Sequence, residues 1–283
     1  MVTTLLALNF LLMVLMPIFL GRWIAVRRHV GWGLFGIGAV AFVLSQVGHL
    51  PFNWLILQQL GWFSPTNLPL YALFLGLSAG TFEGVARYLT FRFWARDARS
   101  WRQGLMVGAG HGGIEAILLG VLGLINFVIL LGLKNGYFQG ILASVPQDQL
   151  HLVEQQIEAM FGVSPWMALF GALERVFALM LHLAASLLVM QALVRGQCRW
   201  LLAAIGWHAL IDGTLVYVVS QWGIVWAETV LGGMSLVSLA IIFLLRMPEP
   251  TAVPLEPLPE LKSIQPAPLA STAEMLERSK YSG

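Results

Sequence analysis

The chain has 283 residues, of which 58% are hydrophobic and only 11% are charged, and its mean hydropathy is +0.78. Soluble domains normally contain about 25% charged residues, so this composition excludes a soluble globular enzyme and indicates an all-α, polytopic transmembrane helical bundle. The single cysteine, Cys198, excludes an intramolecular disulfide and a CxxC metal site. The arginines form short clusters beside apolar segments, so we expect no nucleic-acid-binding surface.

Seven segments are long and apolar enough to form membrane-spanning helices, which need about 20 residues each. The expected spans cover residues 3–23, 31–50, 68–91, 104–133, 165–194, 200–220 and 223–245. The second is expected to end before Pro51, and the fourth is long enough to tilt or to break at its glycines. The first span lacks a basic leader and a small-residue cleavage site, which favours a retained helix over a signal peptide.

Basic residues occur at every second connection between these spans. Arginines follow the first, third, fifth and seventh spans, whereas the other connections are uncharged or mostly acidic. By the positive-inside rule, this alternation predicts an N-terminus outside and a C-terminus in the cytoplasm.

Two further regions lie outside the spans. Residues 147–161 place Leu150, Val153, Ile157 and Met160 at helical spacing, which predicts a short amphipathic helix on the outer surface. Residues 247–283 are rich in proline and polar residues, and we expect an extended or disordered cytoplasmic tail. Residues 1–246 would then form the transmembrane domain.

Ionisable side chains lie deep within four of the predicted spans, where a charge costs a few kcal/mol. In chain order they are Glu83 and Arg87; His111 and Glu115; Glu174, Arg175 and His182; and His208 and Asp212. In three of the spans an acidic residue lies four positions from a basic or imidazole partner, so that both share a helix face. This repetition predicts a polar site inside the membrane. His29, His49 and His151 fall in loops or at a span end and are interpreted as structural or interfacial.

Histidines and carboxylates from separate helices are the ligand types of hydrolytic zinc sites, in which a further glutamate serves as general base on a water. Without a metal, Glu83 could activate the water while histidines hydrogen-bond the oxyanion. Either route hydrolyses an amide within the membrane. The spans contain no HExxH, GxSxG or paired-aspartate motif, which argues against site-2-type, rhomboid-type and aspartyl intramembrane proteases.

The ordered segments FEGVAR, GHGGIE, LERVFALMLH and WHALID resemble the YhfC family of intramembrane proteases. That family is related to the PrsW proteases and, more distantly, to the CAAX-prenyl protease and bacteriocin-processing superfamily. The resemblance covers about residues 1–246, with the motifs between 82 and 213. The first family motif is EExxK or EExxR; Glu83 matches its first glutamate and Arg87 its basic residue, whereas Gly84 replaces the second glutamate.

The resemblance implies that Glu83 activates water and that Glu115, His182 and His208 bind a metal or the oxyanion. The candidate catalytic residues are therefore Glu83, Arg87, His111, Glu115, Glu174, His182, His208 and Asp212. Zinc is the expected cofactor of a metallo-type enzyme, and a glutamic-type enzyme would need none. The expected substrate is a membrane-embedded or lipid-anchored protein, and the expected location is the bacterial cytoplasmic (inner) membrane.

Two other functions remain open. Buried glutamate, histidine and aspartate also build the relays of proton- or ion-coupled transporters. A non-catalytic membrane adaptor that keeps a protease-like core is the other alternative, because Gly84 removes one carboxylate of the family motif.

Overall fold

Long apolar helices make up most of the described chain. The computed structural model describes residues 1–246 and, singly, Ala273 and Glu277. Its α-helices are α1 (Val2–Arg28), α2 (Gly33–Trp54), α3 (Leu68–Leu89), α4 (Trp101–Lys134), α5 (Gln139–Ser144), α6 (Leu150–Phe161), α7 (Phe170–Val194), α8 (Arg199–Trp222) and α9 (Ile224–Leu244). Seven of these, α1–α4 and α7–α9, are long and apolar enough to cross a membrane, which confirms the predicted number of spans.

The second span does not end before Pro51 as expected. α2 continues through Pro51 to Trp54, and a π-helical turn extends it to Gln59. This wider turn closes where the Leu60 N–H donates to the Leu55 carbonyl at 2.9 Å. Proline removes one backbone donor, but membrane helices tolerate it where a local π adjustment satisfies the backbone groups again. Pro51 therefore lies inside the helix.

The fourth span does not break at its glycines. α4 is one continuous helix of 34 residues. At 1.5 Å per residue this is about 51 Å, longer than the roughly 30 Å apolar layer, so α4 must tilt or extend beyond that layer. Its glycines serve close packing instead, since a Cβ at Gly108 would lie 2.9 Å from the Leu183 Cα of α7. Contacts with α7 offset the flexibility that glycine brings to a helix.

Helix α7 is the core of the bundle. Its most apolar stretch is 72% buried, whereas the corresponding stretches of the other six spans are 22–33% buried. It packs against α1, α3, α4, α8 and α9. Polar side chains on α7 can therefore meet side chains from several helices at once, which is the arrangement that a shared site inside the membrane requires.

Helices α3 and α8 pack closely through a row of small residues. Gly76, Gly80 and Gly84 follow one another at spacings of four on α3, and each faces α8. A Cβ at Gly80 would lie only 2.6 Å from the Ile205 carbonyl oxygen. Small residues let membrane helices approach at the backbone and gain van der Waals contact. This approach brings the polar residues of α3 and α8 together.

The predicted amphipathic helix is also present. A 3₁₀ turn at Gln147–Gln149 leads into α6. The last residues of α6, Met160 and Phe161, pack on a small apolar cluster that contains Leu6 and Phe127. Its placement on the outer surface and the orientation of the termini stay predictions. The expected tail of residues 247–283 lies outside the described residues.

The glycine row yields a stability prediction. Gly80→Ala should lower the free energy of unfolding by about 1–3 kcal/mol, because the added methyl group forces α3 and α8 apart. Gly206→Ala is the matched control, since a Cβ there meets nothing within 4 Å. Thermal unfolding in detergent measures both variants. Equal melting temperatures for the two would contradict the close α3–α8 contact.

Candidate functional site

Ionisable side chains from four helices meet at one place inside the bundle. The structure joins every predicted candidate, together with Arg175, into one network of hydrogen bonds and ion pairs: Glu83, Arg87, His111, Glu115, Glu174, Arg175, His182, His208 and Asp212. Spacing within each span predicted the pairs, whereas the contacts between helices follow from the packing around α7.

Glu83 is the centre of the network. Its Oε2 lies 3.1 Å from Nε2 of His111 and 3.3 Å from Nη2 of Arg87. The same oxygen lies 3.8 Å from Nδ1 of His182 and 3.8 Å from Nε2 of His208. Only 5% of Glu83 is exposed. A carboxylate so deeply buried is stable when charged only if donors or cations contact it, and Arg87 and His111 do so here.

His182 connects two carboxylates through opposite edges of its ring. Nη2 of Arg87 donates to Nδ1 at 2.5 Å, so that this nitrogen carries a lone pair. Nε2 must then carry the hydrogen, and it lies 2.7 Å from Oε2 of Glu115. Glu115 thus fixes the tautomer whose Nδ1 lone pair faces Arg87 and Glu83.

Glu115 is held in turn by Arg175. Nη1 of Arg175 donates to Oε1 of Glu115 at 2.6 Å, and its Nη2 makes a short contact with Glu174. Arg175 is buried, whereas the side chains of Glu115 and Glu174 are 22% and 38% exposed. This row of charges runs from the centre of the network towards the N-terminal end of α7.

His208 and Asp212 form the fourth part of the site. Nε2 of His208 lies 3.2 Å from Oδ2 of Asp212, one turn further along α8. The ring of His208 stands edge-on to that of His182, with centroids 5.5 Å apart. The Asp212 side chain is 31% exposed, which makes it more accessible than Glu83 or Glu115.

A small polar cavity opens on these residues. Its volume is about 90 Å³, which is room for a few water molecules. The polar part of its wall is formed by Glu83, Glu115, Glu174, Arg175, His182, His208 and Asp212, and Leu181, Ile211 and Leu231 lie among the apolar residues that complete it. Water could therefore meet the carboxylates and both histidines at one point.

Three of the residues fit a metal ion. One ligand atom from each of Glu83, His182 and His208 lies within 4.8 Å of the other two. Two imidazoles and a carboxylate are a ligand set of catalytic zinc sites. The sequence suggested Glu115 as a ligand together with His182 and His208; in the structure Glu115 accepts the hydrogen of His182. A carboxylate in that position orients metal-binding histidines.

The charge of the network also suits a dication. Four carboxylates face two guanidinium groups, which leaves two negative charges when the histidines are neutral. Metals bind the neutral form of histidine. In the structure the Nδ1 lone pair of His182 accepts a hydrogen bond from Arg87. The same lone pair cannot bind a metal ion at the same time. Metal binding at this nitrogen therefore requires Arg87 to move away, while Glu83 remains its partner.

Gly84, the departure from the family motif, has a packing role. A Cβ at this position would lie 2.6 Å from Cγ1 of Ile205 on α8. A glutamate there would either displace the Ile205 side chain or separate the two helices. The glycine keeps α3 close to α8 and thereby keeps Glu83 close to His208.

Three polar residues near the site were not among the predicted candidates, and one of them, His49, was expected to be structural or interfacial. Gln46 donates to Oε1 of Glu83 at 3.4 Å, and His49 bonds to Gln46. Glu228 is buried in the first turns of α9, and its Oε2 has no hydrogen-bond partner among the described residues. Glu228 was recognisable as a carboxylate inside a predicted span. Gln46 carries no charge, so hydropathy alone gives no such signal for it.

The buried charge row makes a testable prediction. Arg175→Met should lower the free energy of unfolding by about 2–3 kcal/mol, because it leaves two carboxylates without their cation. The value is below that of a fully buried pair, since Glu174 is 38% exposed. Arg199→Met, at an exposed position, should change stability by less than about 0.5 kcal/mol. Chemical unfolding in detergent measures both, and a similar loss in the two variants would contradict the prediction.

The chain is similar in sequence to known membrane proteins. A family model described as YhfC intramembrane metalloprotease matches residues 12–248. The "uncharacterized membrane protein YhfC" of Bacillus subtilis (strain 168) is 32% identical over 213 residues, which cover 73% of this chain and 81% of that protein. No solved structure matches. With its seven apolar helices this is an integral membrane protein, and the chain belongs to the YhfC intramembrane metalloprotease family.

Proposed function

We propose that the protein is an intramembrane endopeptidase of the metallo type. The observation that carries this proposal is the buried group of Glu83, His182 and His208, whose ligand atoms lie within 4.8 Å of one another inside membrane-spanning helices. The adjoining cavity of about 90 Å³ has room for water and for a peptide carbonyl group. The substrate would be a membrane-embedded or lipid-anchored protein.

Glu83, His182 and His208 would hold the ion, and zinc is the metal that suits this ligand set. When bound, such an ion polarises a water molecule and a peptide carbonyl. Glu115 holds His182 in the tautomer whose Nδ1 carries the lone pair, and this lone pair becomes available to the ion when Arg87 moves away. His111 and Arg87 keep the buried Glu83 carboxylate charged and oriented, since both donate to its Oε2.

Asp212 is best placed to accept the proton of the attacking water. Oε2 of Glu83 already has four basic nitrogens around it, and each oxygen of Glu115 has a bond shorter than 3 Å. Oδ2 of Asp212 has His208 Nε2 as its partner at 3.2 Å, and Asp212 is one of the residues that line the cavity. As water oxygen bonds to the carbonyl carbon, Asp212 takes a water proton; it then gives it to the amine nitrogen as the peptide bond breaks.

The replacement of the second motif glutamate by Gly84 was the reason to consider a non-catalytic adaptor, and it no longer favours that function over an enzyme. Its contact with Ile205 gives the missing carboxylate a packing reason. The remaining carboxylates still lie around one cavity with two histidines. The relation to the PrsW and CAAX-prenyl proteases and the location in a bacterial cytoplasmic membrane stay predictions.

The first test concerns the metal. Purified wild-type protein should bind about one equivalent of zinc after dialysis against a zinc buffer, measured by elemental mass spectrometry. Glu83→Gln and His208→Ala should reduce the bound zinc well below that level, because each loses a ligand. His151→Ala is the control, since His151 is exposed on α6. Full zinc binding by Glu83→Gln would instead return Glu83 to the role of water-activating base.

The second test concerns the base. Asp212→Asn should retain zinc yet cleave single-span test substrates in proteoliposomes about 10²–10⁴-fold more slowly, which is the usual contribution of a general base. The exposed residue Thr229 supplies a control, Thr229→Val, that should cleave at the wild-type rate. Unchanged cleavage by Asp212→Asn would exclude Asp212 as the base. Absence of cleavage by the wild type across the substrate panel would count against the protease itself.

A further inference from the structure

A second chain of hydrogen bonds reaches Glu83 from α2. Nε2 of Gln46 lies 3.4 Å from Oε1 of Glu83, and Oε1 of Gln46 lies 3.1 Å from Nδ1 of His49. Nδ2 of Asn53 lies 2.9 Å from Nε2 of His49. These residues follow at spacings of three and four, so they share one face of α2. The chain thus connects the centre of the site with the last turn of α2.

The direction of these bonds follows from the groups involved. Two groups contact Nε2 of His49: the Asn53 amide, and the Ser78 hydroxyl at 3.2 Å, which donates its hydrogen to the Leu75 carbonyl. With the Asn53 amide as the donor, Nε2 accepts and the ring hydrogen is on Nδ1. His49 then donates to the Gln46 carbonyl oxygen, and the Gln46 amide donates to Glu83. Every donor points towards the carboxylate. Hydrogen bonds aligned in this way polarise one another and favour negative charge at the end of the chain.

The hydrogen-bond chain ends at Oε1 of Glu83, whereas the histidines lie around Oε2. Oε2 has His111, Arg87, His182 and His208 around it, whereas the donor to Oε1 is Gln46. A buried carboxylate oxygen without a donor costs about 1–3 kcal/mol or more, because charged groups lose the most on desolvation. Fixing Oε1 also fixes the rotation of the carboxylate, and with it the direction of Oε2.

We propose that His49 is a positioning residue for Glu83 and acts through Gln46. His49 orients the Gln46 amide, and this amide holds Oε1 so that Oε2 points at His182 and His208. The inference deepens the proposed function where it concerns metal binding. The hydrogen-bond chain itself is a property of the protein without metal, and it can be tested separately.

His49 also has a packing contact that a test must separate from this role. Its ring stacks on Phe82 with centroids 5.5 Å apart, and Phe82 lines an apolar cavity of about 310 Å³ between α2 and α3. A role in packing alone depends on the size of the side chain at position 49. A role in positioning depends on an N–H at the place of Nδ1.

Two substitutions make this distinction. An asparagine at position 49 carries its amide nitrogen close to the place of Nδ1 and can still donate to Gln46, although it is smaller than histidine. A leucine fills more of the space but has no donor. Positioning therefore predicts that His49→Asn resembles the wild type and His49→Leu does not, whereas packing alone predicts the opposite order. His151→Leu is the matched control at an exposed histidine.

The first measurement uses the metal-free protein, so that it does not depend on metal binding or on cleavage. Melting temperatures are taken for the wild type, His49→Leu, Glu83→Gln and the double variant. If the chain connects the two residues, the double variant loses less than the sum of the single losses, because each substitution breaks the same interaction. Strictly additive shifts, or a His49→Asn variant as unstable as His49→Leu, would overturn the proposal.

The second measurement titrates Co²⁺ into the metal-free protein and follows its visible absorption. His49→Leu should weaken Co²⁺ binding by about tenfold, the lower end of the effect of residues that orient metal ligands. His49→Asn and His151→Leu should bind like the wild type. Equal affinity for His49→Leu and the wild type would refute the positioning role. If the wild type binds no Co²⁺, the metal proposal fails, while the melting temperatures still decide the role of His49.

Discussion

The arrangement of this bundle depends on one buried carboxylate. Glu83 is 5% exposed inside membrane-spanning helices, where an isolated negative charge is strongly unfavourable. Arg87 of α3 and His111 of α4 donate to this carboxylate, and His182 of α7 and His208 of α8 lie 3.8 Å from the same oxygen, so four helices meet at Glu83. Electrostatic attraction is strong at low dielectric constant, and the same condition makes a missing partner costly. The charge therefore links the stability of the bundle to the geometry of the site.

Close approach of the helices makes this compensation possible. Gly80 and Gly84 bring α3 against α8, and Gly108 and Gly112 bring α4 against α7. A Cβ at Gly112 would lie 2.5 Å from Cδ2 of His182, so the glycine leaves room for the imidazole itself. Larger residues would separate the helices and lengthen contacts of 3–4 Å to the point where ion pairs weaken. Packing and electrostatics are thus two aspects of one arrangement.

Some side chains of the site position the proposed metal ligands, and a different side chain is proposed to transfer the proton. Arg175 and Glu115 fix His182, and Asn53, His49 and Gln46 lead to Glu83. In the proposed enzyme these side chains would keep Glu83, His182 and His208 in place, and the more accessible Asp212 would move the proton. A site that must bind a metal and exclude bulk water inside a membrane benefits from such rigid support, because misplacement by about 1 Å lowers the rate strongly.

The sequence by itself determined the number of spans, the amphipathic helix and the identity of the charged residues. These features depend on local length, apolar periodicity and the spacing of four within a helix, which the chain encodes over short distances. Only the tertiary structure decided that Glu83 lies beside both His182 and His208, that Gln46 and His49 reach the site, and that Gly84 lies against Ile205. It also showed that α2 continues through Pro51. Contacts between helices depend on their rotation and separation, and residue spacing within one helix does not specify either.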